Sequence, residues 1–218
     1  MAEKDTKERI LDAAEELFAE FGFAHTSMRK ITSTAGVNLA AVNYHFGSKE
    51  ELIKAVFTRR LMPINAERLR RLAEVEAGEP TLEALLEAFI APHLEMKEAG
   101  GNDRFVCLIG RSYTDHAPLL NEHVRALNKD VVARFKAAFS AQLPHLPRRE
   151  LSIRLHFLVG TVAYTMAGPE MIHLLRGVRI SEGDNAKALV ERLVPFLAAG
   201  LRAPLPEQLP EFVVSRAS

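Results

Sequence analysis

The sequence predicts an all-α protein with a small three-helix unit at its N-terminus and a larger helical domain after it. Apolar residues recur with the helical period of about 3.6 through most of the 218 residues. Glycine and proline separate these periodic segments, and no segment shows the apolar–polar alternation of a half-buried strand. We therefore expect long helices joined by turns.

The first helix is expected to begin near Asp5 or Thr6 and to end at Gly22. Glu8 stands three residues after Asp5, which is the spacing of a capping box. Apolar residues at helical spacing then give this helix one inward face.

Two short helices should follow, the first capped by Thr26 or Ser27 and the second by Asn38. A turn containing Gly36 separates them, and Ser48 caps the next, longer helix. Two short helices joined by a glycine turn and braced by longer helices are typical of a helix-turn-helix unit. The same spacing also fits an ordinary αα corner.

The rest of the chain predicts further helices. Pro63 is expected to kink or end the fourth helix, and helices are expected over residues 148–166 and 184–202. The predicted domains are 1–50, a helix-turn-helix DNA-binding domain, 51–203, a ligand-binding and dimerisation domain, and 204–218, an extended or disordered tail.

Composition excludes several classes. The 28 basic and 28 acidic residues give zero formal net charge, which argues against coating nucleic acid by bulk electrostatics. A single cysteine excludes a disulfide within one chain. The charged N-terminus and the lack of an 18-residue apolar run predict a cytoplasmic protein without a signal peptide or membrane association. Phosphate-binding glycine loops, nucleophile elbows and paired-histidine metal spacings are missing, so we expect neither an enzyme nor a metal or other cofactor.

One stretch has an unusual charge distribution. No Asp or Glu occurs from Gly22 to Lys49, whereas the average acid content of the chain predicts about three or four in such a window. Acidic residues are frequent immediately before and after it. A surface without carboxylates suits contact with phosphates, which favours DNA binding over a plain αα corner.

The residues of this region carry a family resemblance. ILDAAEELFAEFGFAHTSMRKI and AGVNLAAVNYHFGSKEEL resemble the DNA-binding domain of the TetR family of bacterial transcriptional regulators. VNLAAVNYHFGSK most resembles the fatty-acid-responsive, PsrA-type repressors within that family. The resemblance implies a homodimer that binds a palindromic double-stranded operator and releases it on binding a small-molecule effector. Many family members carry Tyr at the position of Asn43, so the contacts of that Tyr do not transfer to this chain unchanged.

On this basis the third helix is the recognition helix. Small or apolar residues of its first turn should lie at the floor of the major groove, and Asn43 should contact an adenine edge or a phosphate. Val42 and Phe46 should face the core, and His45 is either a contact or a packed side chain. The candidate DNA-binding residues are Thr26, Ser27, Arg29, Asn38, Leu39, Ala40, Ala41, Asn43, Tyr44, His45 and Lys49.

The C-terminal domain should contain an effector pocket and a dimer interface. Arg111 would need an acidic partner or an anionic ligand if it were buried. The candidate ligand-binding residues are Phe89, His93, Met96, Phe105, Leu108, Arg111, Phe135, His156 and Tyr164. The candidate residues of the dimer interface are Phe157, Val162, Leu189, Leu193 and Phe196. Each of these side chains could instead fill the core of one subunit.

We therefore expect a homodimeric, ligand-responsive transcriptional repressor that is released from DNA by a small apolar or acyl effector, a fatty acid or an acyl-CoA. Two alternatives remain at this point. One is a helical carrier of apolar ligands that does not bind DNA. The other is a TetR-type regulator of an efflux pump that responds to xenobiotics.

Overall fold

A computed structural model describes residues 5–98, 108, 118–166 and 186–205. These ranges contain helices and no strand, which confirms the all-α prediction. The helices are α1 (Thr6–His25), α2 (Met28–Ala35), α3 (Leu39–Phe46), α4 (Lys49–Ala77), α5 (Leu82–Glu98), α6 (Pro118–Gln142), α7 (Arg148–Met166) and α8 (Ala186–Arg202).

The start of α1 corrects one expectation. Asp5 precedes the helix, but its side chain makes no capping hydrogen bond. Glu8 does not complete a capping box; its carboxylate instead accepts a hydrogen bond of 3.0 Å from Arg59 on α4. A tertiary ion pair with Arg59 therefore takes the place of the local capping-box hydrogen bond. Gly22 interrupts the helical geometry with φ 79° and ψ 168°, and α1 resumes as far as His25.

The caps of the next three helices agree with the sequence. The side chains of Ser27, Asn38 and Ser48 accept hydrogen bonds of 3.2, 2.8 and 3.1 Å from backbone N–H groups in the first turns of α2, α3 and α4. Each such cap stabilises a helix by about 1 kcal/mol. Gly36 ends α2 in the left-handed conformation, with φ 63°.

Helix α4 continues through Pro63 to Ala77. The prediction that Pro63 would end the helix is therefore wrong, and the alternative, a bend within it, remains a prediction. Proline has no N–H, so the carbonyl of Arg59 loses the helical hydrogen bond it would otherwise accept. Pro63 itself is exposed.

Two hydrophobic cores share α4. The first contains α1–α3 and the α4 residues from Leu52 to Ile64, together with Leu108 and Leu120 from the later part of the chain. The second contains Leu72 of α4 with α5, α6, α7 and α8. The domain boundary expected at residues 50/51 stays a prediction; the first core extends beyond it.

Polar contacts join α4 to α6 between the two cores. Asn65 donates a hydrogen bond of 3.0 Å to the carbonyl oxygen of Leu127, and the Thr58 hydroxyl lies 2.8 Å from Nε2 of His123. Asn65 is buried, so its bond to a backbone carbonyl is shielded from water. Helix α6 is thereby fixed to the half of α4 that belongs to the first core.

Arg154 holds α7 against the end of α8. Its buried guanidinium donates hydrogen bonds of 2.9 and 2.6 Å to the carbonyl oxygens of Leu201 and Ala203, and its Nε donates one of 2.8 Å to Glu150. The last carbonyls of a helix have no partner within it. Arg154 supplies that partner and so fixes the relative position of α7 and α8.

Candidate nucleic-acid interface and effector site

Helix α3 presents one face to the core and one to solvent. Val42 is fully buried and Phe46 is 8% exposed, whereas Tyr44 is 87% exposed and Leu39 44%. A tyrosine exposed to this degree on a short helix does not contribute to the core of the subunit. The outward face of α3 therefore forms a surface able to contact another molecule.

The predicted contact residues on and around α3 divide by exposure. Asn38, Leu39, Ala40, Asn43 and Tyr44 are exposed, while Ala41, His45 and Lys49 are partly buried. The Asn38 side chain is already engaged as the cap of α3. These placements are compatible with the predicted roles, which stay predictions.

The start of α2 brings one correction. Ser27 and Arg29 are exposed, but Thr26 is fully buried, and its hydroxyl donates to the carbonyl oxygens of Gly22 at 2.8 Å and Leu17 at 3.0 Å. The predicted contact of the Thr26 side chain with DNA is therefore wrong. This hydroxyl instead stabilises α1 at the point where Gly22 interrupts its helical geometry.

The charge of this surface is positive. From Gly22 to Lys49 the formally charged residues are Arg29, Lys30 and Lys49, which give +3 with no carboxylate to offset them. Lys49 lies in the first turn of α4, where unpaired N–H groups favour anions. This stretch therefore has a local excess of positive charge on a protein whose net charge is zero, and the acidic residues Glu50 and Glu51 follow directly after Lys49.

Arg9 positions α3 and was missed by the sequence reasoning. Its Nη2 donates hydrogen bonds to the carbonyl oxygens of Ala35 at 2.7 Å and Gly36 at 2.9 Å, in the turn between α2 and α3. The left-handed Gly36 orients its carbonyl towards this arginine, and a Cβ at Gly36 would lie 2.9 Å from the same nitrogen. The sequence offers no signal for this contact, because 26 residues separate Arg9 from Ala35.

A second network fixes α1 to α4. Glu15, 1% exposed, accepts hydrogen bonds from Arg59 at 2.6 Å and from Arg60 at 2.8 Å. Arg59 also donates to Asp12 at 2.8 Å. Hydrogen bonds between ionised groups are stronger than neutral ones. The acidic residues that bind Arg59 lie on one face of α1. Their spacing is visible in the sequence, but it does not show that Arg59 is their partner.

The predicted effector residues are only partly brought together. His93 and Phe135 are buried and Phe89 is half-buried, and the rings of Phe89 and Phe135 lie 5.1 Å apart. Phe105 and Arg111 lie outside the described residues, as does the side chain of Met96. The interior of the second core thus contains three of the predicted residues.

Three others are corrected. Leu108 is buried in the first core, apart from Phe135. His156 is exposed and Tyr164 is 54% exposed on α7, so neither lines an interior pocket. Both residues lie on α7, whose sequence is apolar nearly all round. Periodicity alone therefore did not identify the outward face of this helix.

Arg68 is a buried residue of the second core that the sequence reasoning missed. It is 6% exposed, its Nε donates a hydrogen bond of 2.7 Å to the carbonyl oxygen of Phe89, and its guanidinium lies 3.9 Å from the centre of the Phe89 ring. It stands in the basic run RLRR, which reads as a solvated helix face. The orientation of α4 about its own axis points Arg68 into the core.

His93 is buried beside Arg68. Burial, and secondarily the positive charge of Arg68, hold the pKa of His93 well below its ordinary value of 6.5. Among the described residues, its Nδ1 atom has no hydrogen-bond partner. A buried polar atom left without a partner costs about 1–3 kcal/mol.

Large apolar side chains are exposed on α7 and α8. Phe157 is 64% exposed and Phe196 66%, which is unusual for phenylalanine on a single subunit. Val162 is instead 5% exposed within the second core, so its prediction as an interface residue is wrong. Leu189 and Leu193 are half-buried against the same core.

Two negative findings concern the described residues. No helix in these ranges combines the length and hydropathy that crossing a bilayer requires. Over the same ranges, His, Cys, Asp and Glu side chains nowhere gather in threes as a metal ion would need.

The fold and the exposed third helix define a class: a helix-turn-helix protein whose DNA-binding unit is followed by a larger helical domain. Two family models match successive parts of the chain. "Bacterial regulatory proteins, tetR family" matches residues 10–56, and "Tetracyclin repressor-like, C-terminal domain" matches residues 87–200. The chain belongs to the TetR family of transcriptional regulators. Proteins of this family are DNA-binding transcription factors and not enzymes.

Curated relatives match the N-terminal part. The HTH-type transcriptional regulator SrpR of Pseudomonas putida is 33% identical over 89 residues, 41% of this chain and 42% of SrpR. The uncharacterized HTH-type transcriptional regulator TtgW, also of Pseudomonas putida, is 34% identical over 89 residues, 41% of this chain and 66% of TtgW. The match therefore spans less than two thirds of either relative.

Solved structures match nearly the whole chain. The fatty acid degradation regulator FadR from Bacillus halodurans has a TM-score of 0.69 at 16% identity, over 94% of this chain and 100% of that one. FadR from Bacillus subtilis in complex with stearoyl-CoA has a TM-score of 0.65 at 18% identity, over 88% and 98%. At these identities the likeness concerns the fold.

Proposed function

We propose that the protein is a homodimeric repressor that binds a near-palindromic operator and is released from it by a long-chain acyl effector. The observation that carries the proposal is the solvent-facing side of α3, with Tyr44 87% exposed, in a stretch from Gly22 to Lys49 that contains no carboxylate. Two recognition helices of a dimer would enter successive major grooves, roughly 34–36 Å apart.

The contacts follow from position on α3. Leu39, Ala40 and Ala41 lie in its first turn, where small side chains allow the backbone to approach the bases and apolar ones touch thymine methyl groups. Asn43 pairs with an adenine edge or a phosphate, and Tyr44 and His45 contact phosphates. Ser27, Arg29 and Lys49 contact phosphates at another part of the DNA backbone.

The dimer is proposed to form through α7 and α8. Phe157 and Phe196 together with the exposed Val159 and Tyr164 supply an apolar surface that a second copy would cover. Gly160 has no heavy atom within 4 Å of its would-be Cβ, so a partner helix can approach there closely. Burying one phenylalanine side chain contributes about 1.5–3 kcal/mol. In a twofold dimer each phenylalanine is buried in both subunits, so its contribution counts twice.

The acyl effector is supported by the interior of the second core. Phe89, Phe135 and Phe139 form a row of aromatic rings, with neighbouring ring centres 5.1 and 6.2 Å apart. The resemblance of VNLAAVNYHFGSK to fatty-acid-responsive repressors and the fold shared with a regulator bound to stearoyl-CoA agree with this chemistry. Operator and effector must then weaken each other's binding by the same factor, because both act on one equilibrium.

The test is selection of bound sequences from a random DNA pool, followed by titration of the enriched site with oleate and oleoyl-CoA. An enriched palindrome that is released by either acyl compound supports the proposal. A palindrome indifferent to both keeps the repressor and removes the acyl effector. Failure to enrich any sequence at low salt, where phosphate contacts are strongest, overturns the DNA-binding part.

A further inference from the structure

A phenylalanine near the end of α1 lies beneath a lysine side chain of α2. Nζ of Lys30 is 3.0 Å from the centre of the Phe21 ring, and Phe21 is 37% exposed. Lys30 is exposed as well. Among the residues that the structure describes, no carboxylate forms an ion pair with Lys30. Within these ranges the aromatic ring is therefore the group that holds this ammonium.

Hydrogen bonds beside the pair fix its backbone. The carbonyl oxygen of Gly22, the residue after Phe21, accepts a hydrogen bond of 2.8 Å from the buried Thr26 hydroxyl. Ser27, the residue after Thr26, accepts a hydrogen bond of 3.2 Å from the backbone N–H of Lys30. These two contacts join the end of α1 to the first turn of α2. The Lys30 side chain therefore extends from a fixed helix turn to a fixed ring.

The ring leaves the ammonium able to bind an anion. The attraction comes from the negative face of the aromatic ring and does not neutralise the positive charge of the lysine. An ammonium has three N–H donors, and the Phe21 ring covers one side of it. An exposed lysine loses much side-chain freedom when it binds a partner. Phe21 has already restricted that freedom in Lys30.

We propose that Lys30 contacts a DNA phosphate and that Phe21 is a positioning residue for this contact. This inference rests on the DNA binding of the proposed function. In a helix-turn-helix unit the first helix crosses the DNA backbone while the second enters the groove, and these helices are α2 and α3 here. Lys30 lies in the first turn of α2, where unpaired N–H groups also favour anions.

The first test measures the operator affinity of the full-length protein as a function of salt concentration. Each lysine that neutralises a phosphate adds about 0.9 to the steepness with which the logarithm of affinity falls with the logarithm of salt concentration. Lys30→Ala should therefore reduce this steepness by about 0.9 for each subunit. It should also weaken binding to the operator and to unrelated DNA by the same factor, because a phosphate contact carries no sequence information.

The second test concerns the positioning role of the ring. Phe21→Leu keeps an apolar side chain but removes the aromatic face, so operator affinity should fall about two- to fivefold for each subunit, the factor expected for an exposed cation–π contact. Phe21→Tyr keeps the aromatic face and should bind with wild-type affinity. In the Lys30→Ala background Phe21→Leu should have no further effect, because the ring acts through the lysine.

The control variant is Lys136→Ala, at an exposed position on α6. It removes the same charge far from α2 along the chain and should leave the salt dependence unchanged. Thermal melts keep folding separate from binding. Lys30→Ala should melt at the wild-type temperature, because an exposed lysine contributes little to stability.

The outcomes distinguish this inference from the proposed function. Wild-type protein that binds no DNA at low salt overturns the DNA-binding function and this inference with it. Wild-type binding with an unchanged salt dependence in Lys30→Ala overturns the phosphate contact alone. A full effect of Phe21→Leu in the Lys30→Ala background overturns the positioning role of Phe21, because the ring would then act independently of the lysine.

Discussion

Nη2 of Arg9 lies 2.9 Å from the carbonyl oxygen of Gly36, so an α1 side chain fixes the turn that sets the angle between α2 and α3. The same nitrogen donates to Ala35 at 2.7 Å. Arg9→Met should lower the free energy of unfolding by about 1–3 kcal/mol, because carbonyls that lose a charged donor are not fully compensated. Operator affinity should fall as well, since α3 is no longer held at a fixed angle.

Chemical denaturation followed by circular dichroism measures the first effect, and fluorescence anisotropy with labelled operator measures the second. Arg125→Met, at an exposed position on α6, is the matched control and should change neither. If Arg9→Met binds operator with wild-type affinity, Arg9 does not position α3.

Glu15 should contribute more to stability than Glu8, although both accept hydrogen bonds from Arg59. Glu15 is 1% exposed and serves two arginines, while the Glu8 side chain is 50% exposed. Glu15→Gln should cost about 3 kcal/mol, as breaking a buried ion pair does, and Glu8→Gln less than about 1 kcal/mol. Urea denaturation of the two variants tests this, and equal losses would contradict it.

Tyr44→Ala should weaken operator binding about tenfold, the loss of roughly one phosphate hydrogen bond, without changing the melting temperature. The side chain is 87% exposed, so its removal leaves no cavity. Anisotropy titrations and thermal melts are the measurements. Tyr44→Phe separates the hydroxyl from the ring: affinity retained by Phe would assign the contact to the ring.

Phe157→Glu should produce a monomer. It places a charge at the centre of the proposed apolar interface, and twofold symmetry places the two charges close together. Val132→Glu is the control, because Val132 is 53% exposed but lies on α6. Sedimentation equilibrium should show a monomer for the first variant and a dimer for the second; a dimeric Phe157→Glu would remove α7 from the interface.

The stability of the wild type should decrease below pH 6.5. The pKa of His93 is lowered by burial, and next by Arg68, from its ordinary value of 6.5. Below that pH the unfolded chain therefore binds a proton that the folded protein does not. Stability then falls by up to about 1.4 kcal/mol for each pH unit, until the folded pKa is reached.

His93→Leu lacks this titration, so the difference in unfolding free energy between it and the wild type should grow steadily from pH 7 to pH 5. His145→Leu, which replaces an exposed histidine and keeps His93, is the control and should follow the wild type. A constant difference across this range would show that His93 binds its proton equally in the folded and unfolded states, and that its pKa is not lowered by folding.

Local features were predictable from the sequence. Ser27, Asn38 and Ser48 were identified as caps because a cap depends on its own helix within three residues. The helical periodicity also gave the inward positions Val42 and Phe46. These signals are short-range, and tertiary contacts do not alter them.

Features that depend on long-range contacts were not predictable. Thr26 and Asp5 both resemble cap residues, yet Thr26 turns inward to the Leu17 carbonyl, and Asp5 leaves its cap position unused. Arg68 belongs to a run of similar basic residues, and the rotation of α4 decides which one is buried. Phe157 and Val162 stand on one apolar helix, and its neighbours decide which faces out.

The length of α4 has a geometric consequence. Its 29 residues make a rod of about 43 Å, and Arg68 lies about 28 Å along it from Lys49. A tilt of about 5° at the Arg68 end therefore moves the Lys49 end by about 2.5 Å. In a twofold dimer the two displacements add to about 5 Å, against a groove repeat of about 34 Å. In the proposed dimer, α4 would act as a lever, so a small tilt at one end would be enough to misalign both recognition helices with their grooves.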